Sequence, residues 1–168
     1  MKKFIHNFFF VLFLLGGMWQ PALALVEGEA APPFAAETLD GSRLTLANLQ
    51  GNVIIVHFWA TWCSSCREEM PILDVYYQKY REKGLRVLSV SIDDEQDDSL
   101  VRSLAQKYSF PAAFNRNSDF KNYGRIWYVP MNFIIDRAGI LRKDGGGGER
   151  LKITLPILEQ YVTPLLIR

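Results

Sequence analysis

The chain is 168 residues long and carries 19 Lys and Arg against 18 Asp and Glu, a formal net charge of +1. With 49% apolar residues it can bury one sizeable core, which excludes a disordered chain, and neither a basic stripe nor an acidic tail calls for nucleic acid or a cationic partner. Its two cysteines stand three positions apart, too few for a disulfide-stapled scaffold and too close to close a long loop, so the pair is expected to be reactive or metal-binding.

Residues 1–24 read as an export signal. Lys2 and Lys3 precede an apolar run over 8–15, and Ala22-Leu23-Ala24 fits a small-x-small cleavage site ending at Ala24. The apolar run is shorter than the about 20 residues a membrane span needs. An uncleaved anchor over 8–26 is the competing reading, and no cysteine stands nearby for lipid attachment. Either way the domain is expected in the periplasm or another extracytoplasmic envelope space, touching the membrane only through an uncleaved N-terminus.

Residues 25–33, small and proline-containing, read as a linker, and 34–168 as the domain. A hairpin is expected over 34–46 with Asp40-Gly41 at its turn, then a helical turn over 47–50 stopped by Gly51. The β-branched and aromatic run 53–59 has the composition of a buried central strand. Cys66, Met70, Leu73, Tyr77 and Tyr80 recur at helical spacing, with Gly84 as the stop and Pro71 expected to kink the helix early. Another buried strand is expected over 85–92. Asp97 and Asp98 are the expected caps of a helix whose apolar face is Leu100, Val101, Leu104 and Tyr108. Residues 110–128 show no single period and receive no assignment. A hairpin over 131–142 turns at Arg137-Ala138-Gly139, the glycines 145–148 read as a flexible break, and a last helix covers 151–166. Strand, helix, strand, helix, two strands and helix, behind an extra N-terminal hairpin, predict an α/β fold with a mixed central sheet and helices on both faces.

Cys63-Ser64-Ser65-Cys66 falls where the strand ending near Trp59 gives way to the long helix. A cysteine there meets unpaired backbone N–H groups and the positive end of the helix dipole. Both favour thiolate, and such settings bring a thiol from about 8.5 to roughly 3.5–7.5. Cys63 is then the nucleophile that forms a mixed disulfide, and Cys66, one turn on, resolves it. Half a zinc site would need two more ligands, and only His6, inside the signal, and His57 remain. Haem attachment needs His after the second cysteine, where Arg67 stands. An inert pair would close to a disulfide in an oxidising compartment.

The stretch from Phe58-Trp59-Ala60-Thr61-Trp62 through Cys63 and Cys66 to Glu69-Met70-Pro71 resembles the active-site signature of the TlpA/ResA-like thioredoxins. The likeness runs from about Gly28 to the C-terminal helix, and it includes Leu49-Gln50-Gly51 and Val129-Pro130 ahead of Phe133-Ile134-Ile135-Asp136. It implies a thioredoxin fold and an extracytoplasmic thiol–disulfide oxidoreductase, often a reductase, some members serving cytochrome c maturation. It further implies a protein disulfide as substrate, a membrane thiol as electron donor, a monomer, and no cofactor or metal. Pro130 becomes the cis-proline facing the disulfide, which leaves the Val129 backbone free to pair with an extended partner segment. Trp62 is expected at that contact surface and Trp59 in the core. Members usually carry Thr-Thr after the proline, whereas Met131-Asn132 stands here.

Related reductases place a buried glutamate where Glu69 stands, able to trade a proton with the resolving thiol. A solvated glutamate near the helix start is the alternative, and Glu68 suits it better. His57 occupies the place of a buried aspartate in cytoplasmic thioredoxins. It reads either as a hydrogen-bonded core histidine or as a proton relay near Cys66. Three other activities compete. An envelope disulfide oxidase or isomerase differs only in direction. A peroxidase needs Pro and Thr at set distances before its cysteine, and neither Cys63 nor Cys66 has both. A metal-delivery module of this fold needs CxxxC and a downstream histidine, both missing here.

Overall fold

The computed structural model describes residues 25–147 and 150–167. The export signal or anchor expected over 1–24 lies outside the described residues, as does the end of the glycine run at 148.

Seven strands form one mixed sheet in the order β2-β1-β5-β4-β3-β6-β7. They are β1 (Ala35–Thr38), β2 (Arg43–Thr45), β3 (Val53–Trp59), β4 (Leu85–Ser91), β5 (Ala112–Asp119), β6 (Met131–Ile135) and β7 (Leu141–Lys143). β3, β4 and β5 run parallel at the centre, and the outer pairs are antiparallel. Every residue of β3 is buried, as the unbroken apolar run predicts for a strand covered on both faces.

The helices are α1 (Ser64–Tyr80), α2 (Asp98–Ala105), α3 (Leu155–Tyr161) and α4 (Thr163–Leu166). β3-α1-β4 and β4-α2-β5 step the same way along the sheet, so right-handed crossovers carry both helices to one face. There Cys66, Met70 and Leu73 of α1, Val101 of α2 and Leu158 of α3 join Val53, Ile55 and Trp59 in one core. The other face is covered by a cluster built on Phe34, Phe58, Phe120, Tyr123 and Phe133, with Leu49 from a short 3₁₀ turn. The helices expected on both faces are therefore spread unevenly, and 3₁₀ turns at Ala47–Leu49 and Lys121–Tyr123 stand on the second face.

Several local expectations change. Pro71 sits inside a helix that runs on to Tyr80. Arg67 and Pro71 are both exposed, so water can take the carbonyl that proline's missing N–H leaves unpaired. Asp97 and Asp98 do not cap α2 with their side chains; the Asp98 carboxylate pairs with Arg116 instead. The unassigned stretch contains β5, whose first three residues pair with β4 and whose polar end pairs only with β1. The single helix expected over 151–166 is two short ones, because Thr154 caps α3 ahead of Pro156 and a second helix restarts at Thr163-Pro164. The stretch read as a linker is tied to the sheet: Gly28 N–H donates to Leu141 O, Leu141 N–H to Glu29 O and Ala31 N–H to Gly139 O.

Candidate active site

Cys63 is the N-cap of α1 and ends the turn that leaves β3. Its sulfur accepts the Cys66 backbone N–H at 3.1 Å and lies 3.5 Å from the Ser65 hydroxyl. The two cysteines are joined as a disulfide. Once the bond is reduced, a charge on Cys63 sits against an unpaired helix N–H and the positive end of a 17-residue helix, which favours thiolate. Cys66 is wholly buried, while Cys63 keeps slight exposure.

The turn before Cys63 is held from below. Thr61 N–H reaches both Asp93 carboxylate oxygens at 3.1 and 3.0 Å, and its hydroxyl donates to one of them at 2.7 Å. The Ser91 hydroxyl donates to Asp93 at 2.8 Å, and Arg67 holds the Thr61 carbonyl at 2.6 Å. Trp62, between this clamp and Cys63, is 65% exposed, whereas Trp59 is fully buried. The peptide bond between Val129 and Pro130 is cis. Phe58 pairs with Met131, so this bond lies at the same end of the sheet as the turn leading into Cys63. Val129 and Pro130 are half-buried.

Glu69 lies one turn after Cys66 on α1 and is wholly buried. Its Oε2 accepts the Asn132 amide at 3.0 Å, and its Oε1 has no partner among the described residues. Burial pushes its pKa up to about 7, opposed by hydrogen bonds from Asn132 and the Ile153 backbone. Glu68 takes the other role, exposed and 3.5 Å from Lys152. His57 is buried in β3, opposite Asn132 of β6. Its Nδ1 is 2.7 Å from Asn132 Oδ1 and 3.8 Å from Glu69 Oε2, and its Nε2 has no partner among the described residues. Burial pushes its pKa down to about 4, so the ring is neutral near pH 7.

The fold thus gathers Cys63, Cys66, Glu69 and His57 around one end of β3 and the start of α1. Trp62 stands directly before Cys63 in the chain and faces solvent. Sequence reasoning noted Asn132 only as a departure after Pro130, with no role in the site, and passed over Asp93. Asn132 had one available signal: it is the lone polar residue within the apolar run 131–135, just as His57 is within 53–59.

A profile of the AhpC/TSA family matches residues 27–144. The thiol-disulfide oxidoreductase ResA of Bacillus thuringiensis subsp. konkukian is 32% identical over 140 residues, 82% of this chain and 79% of its own. A structure from Chlorobium tepidum, assigned as the thiol:disulfide interchange protein DsbE, superposes with a TM-score of 0.69 at 29% identity, covering 85% of this chain and 99% of that one. One from Bacteroides thetaiotaomicron, assigned as a protein disulfide isomerase, gives a TM-score of 0.71 at 27% identity, covering 86% of this chain and 92% of that one. With its thioredoxin-like sheet and a Cys-x-x-Cys disulfide at the head of α1, the chain belongs to the AhpC/TSA family and is a thiol–disulfide oxidoreductase of the ResA-like kind.

Proposed function

We propose that this chain works outside the cytoplasm as a reductase of disulfides in exported proteins. Cys63 attacks the partner disulfide, Cys66 resolves the mixed disulfide, and Glu69 takes the Cys66 proton. The observation that carries this reading is the buried Glu69 carboxyl, held near neutrality one helical turn behind Cys66. Val129, beside the cis bond, pairs with an extended stretch of the partner, and Trp62 supplies an exposed apolar contact next to the attacking sulfur. The N-terminal signal delivers the domain to the envelope, where it acts as a monomer and a membrane thiol protein re-reduces it. Apocytochrome c is the narrower substrate to which the likeness of the active-site stretch points.

Two measurements test this. The Cys63–Cys66 couple should have a reduction potential near the thioredoxin end of the scale, about −270 mV. A value near about −120 mV, the strong-oxidant end, would make the protein an oxidase instead. Cys66→Ala should trap a mixed disulfide on Cys63 when expressed in its own envelope. If the partner is found on no sulfur, the assignment of Cys63 as nucleophile fails.

A further inference from the structure

Two polar residues face each other inside otherwise apolar strands, His57 on β3 and Asn132 on β6. The polar atoms of the Asn132 side chain all have defined partners. Its amide nitrogen donates to Glu69 Oε2 at 3.0 Å and to the Leu151 carbonyl at 2.8 Å, and its oxygen faces His57 Nδ1 at 2.7 Å. A carbonyl can only accept, so Leu151 fixes which end of the amide points toward it and toward Glu69. The oxygen must then face His57, so Nδ1 carries the ring hydrogen and Nε2 the lone pair.

The strand is braced from behind. A Cβ on Gly145 would lie 2.4 Å from the Asn132 carbonyl oxygen and 2.6 Å from its nitrogen, so only glycine fits. The Tyr128 hydroxyl donates to the Gly145 carbonyl and fastens that contact. The glycines read as a flexible break therefore begin as a fixed wall against Asn132.

We propose that Asn132 is a positioning residue for thiol–disulfide exchange: it holds Glu69 by Oε2, leaves Oε1 free to take the Cys66 proton, and is kept in that orientation by the Leu151 carbonyl together with His57. This rests on the reading of Glu69 given above. In the resolving step the Cys66 S–H proton passes to Glu69 Oε1. The sulfur's electron pair forms the bond to Cys63, the bond from Cys63 to the partner sulfur breaks, and the partner leaves as a thiolate that water protonates. The groups around Glu69 are His57 from β3, Asn132 from β6, the Ile153 N–H and Lys152 from the return segment, and Glu68 and Cys66 from α1. Of the two outside charges, Lys152 and Glu68 are exposed and pair with each other.

The experiment is stopped-flow reaction of the reduced full chain with the aromatic disulfide DTNB. The first thionitrobenzoate released reports Cys63 and the second reports Cys66. In the wild type, the rate of the second release should rise with pH through a limb near 7, and Glu69→Gln should abolish that limb. Asn132→Leu removes a hydrogen bond that favours the carboxylate, so the limb of the second release should move up by about one pH unit. His57→Leu leaves the amide less firmly oriented and should move the limb the same way by less. A limb that survives Glu69→Gln overturns the reading of Glu69 itself. A limb lost in Glu69→Gln but unmoved in both other variants overturns the role of Asn132 alone. Should Asn132→Leu fail to fold, Asn132→Ser, whose shorter side chain also gives up the bond to Glu69 Oε2, takes its place, and an unmoved limb there overturns it equally.

Discussion

Glu69→Gln should change how stability depends on pH, and the size of the change follows from burial. The Glu69 carboxyl goes from an ordinary 4.5 in the unfolded chain to about 7 in the folded one. A raised carboxyl contributes stability that is fully present below pH 4.5 and lost as pH rises through about 7. The gap of about 2.5 pH units, at about 1.36 kcal/mol each, comes to about 3 kcal/mol. Glutamine cannot ionise, so the variant should lack this loss. Its amide puts a donor where the unpartnered Oε1 stood, which adds a roughly constant penalty of about 1–3 kcal/mol. The slope therefore carries the information and the offset does not. His57, lowered by burial to about 4, brings its own loss below pH 6.5, but it does so in both proteins. Urea unfolding of the oxidised proteins at pH 4.5 to 8.5 should show the variant gaining about 3 kcal/mol on the wild type across that range. A gap that stays constant to within about 0.5 kcal/mol would mean that Glu69 titrates normally and is no proton partner for Cys66 near pH 7.

Asp93→Ala strips the clamp from Thr61 and Ser91 and leaves buried donors unmatched, so urea unfolding should show a loss of about 3 kcal/mol; a loss under about 1 kcal/mol would mean water replaces the carboxylate. Gly145→Ala drives a methyl into the Asn132 backbone and should lower stability by about 2 kcal/mol or more, read as a fall in Tm; a neutral result would show that the return segment can yield. Trp62→Ala should leave stability within about 0.5 kcal/mol, because the side chain faces solvent, yet slow the reduction of protein disulfides more than of small aromatic ones. Equal slowing of both would assign Trp62 to the chemistry of Cys63 and not to partner contact.

Much of the scaffold was legible because its signals are local. The run at 53–59 and the three-and-four spacing from Cys66 to Tyr80 identify β3 and α1 with no knowledge of their neighbours. β5 was not legible because its two halves live in different surroundings. Ala112 to Phe114 are buried against β4, while the polar residues after them have β1 as their only strand partner, so no period spans the strand. The last helix was over-read for the opposite reason. Ile153 is apolar and fully buried, but it lies outside any helix and its backbone N–H is turned toward Glu69. At the site, the cysteines are recognisable by spacing alone. Asn132 and Asp93 act through contacts 63 and 32 residues away in sequence, to Glu69 and Thr61, and nothing in composition encodes such pairings. The His57–Asn132 match becomes visible only once β3 and β6 are set in antiparallel register.

The attachment of residues 28–31 along β7 bears on how this domain behaves among copies of itself. β7 is the last strand on its side of the sheet, and a bare edge offers N–H and C=O groups to any passing strand. Here residues 28–31 take the Leu141 N–H and carbonyl and the Gly139 carbonyl, with Ala30 bridged to Ile140. Cleavage after Ala24 would leave this guard intact. Trimming the chain to Pro32 would uncover these groups, and at high protein concentration they would become a template for aggregation.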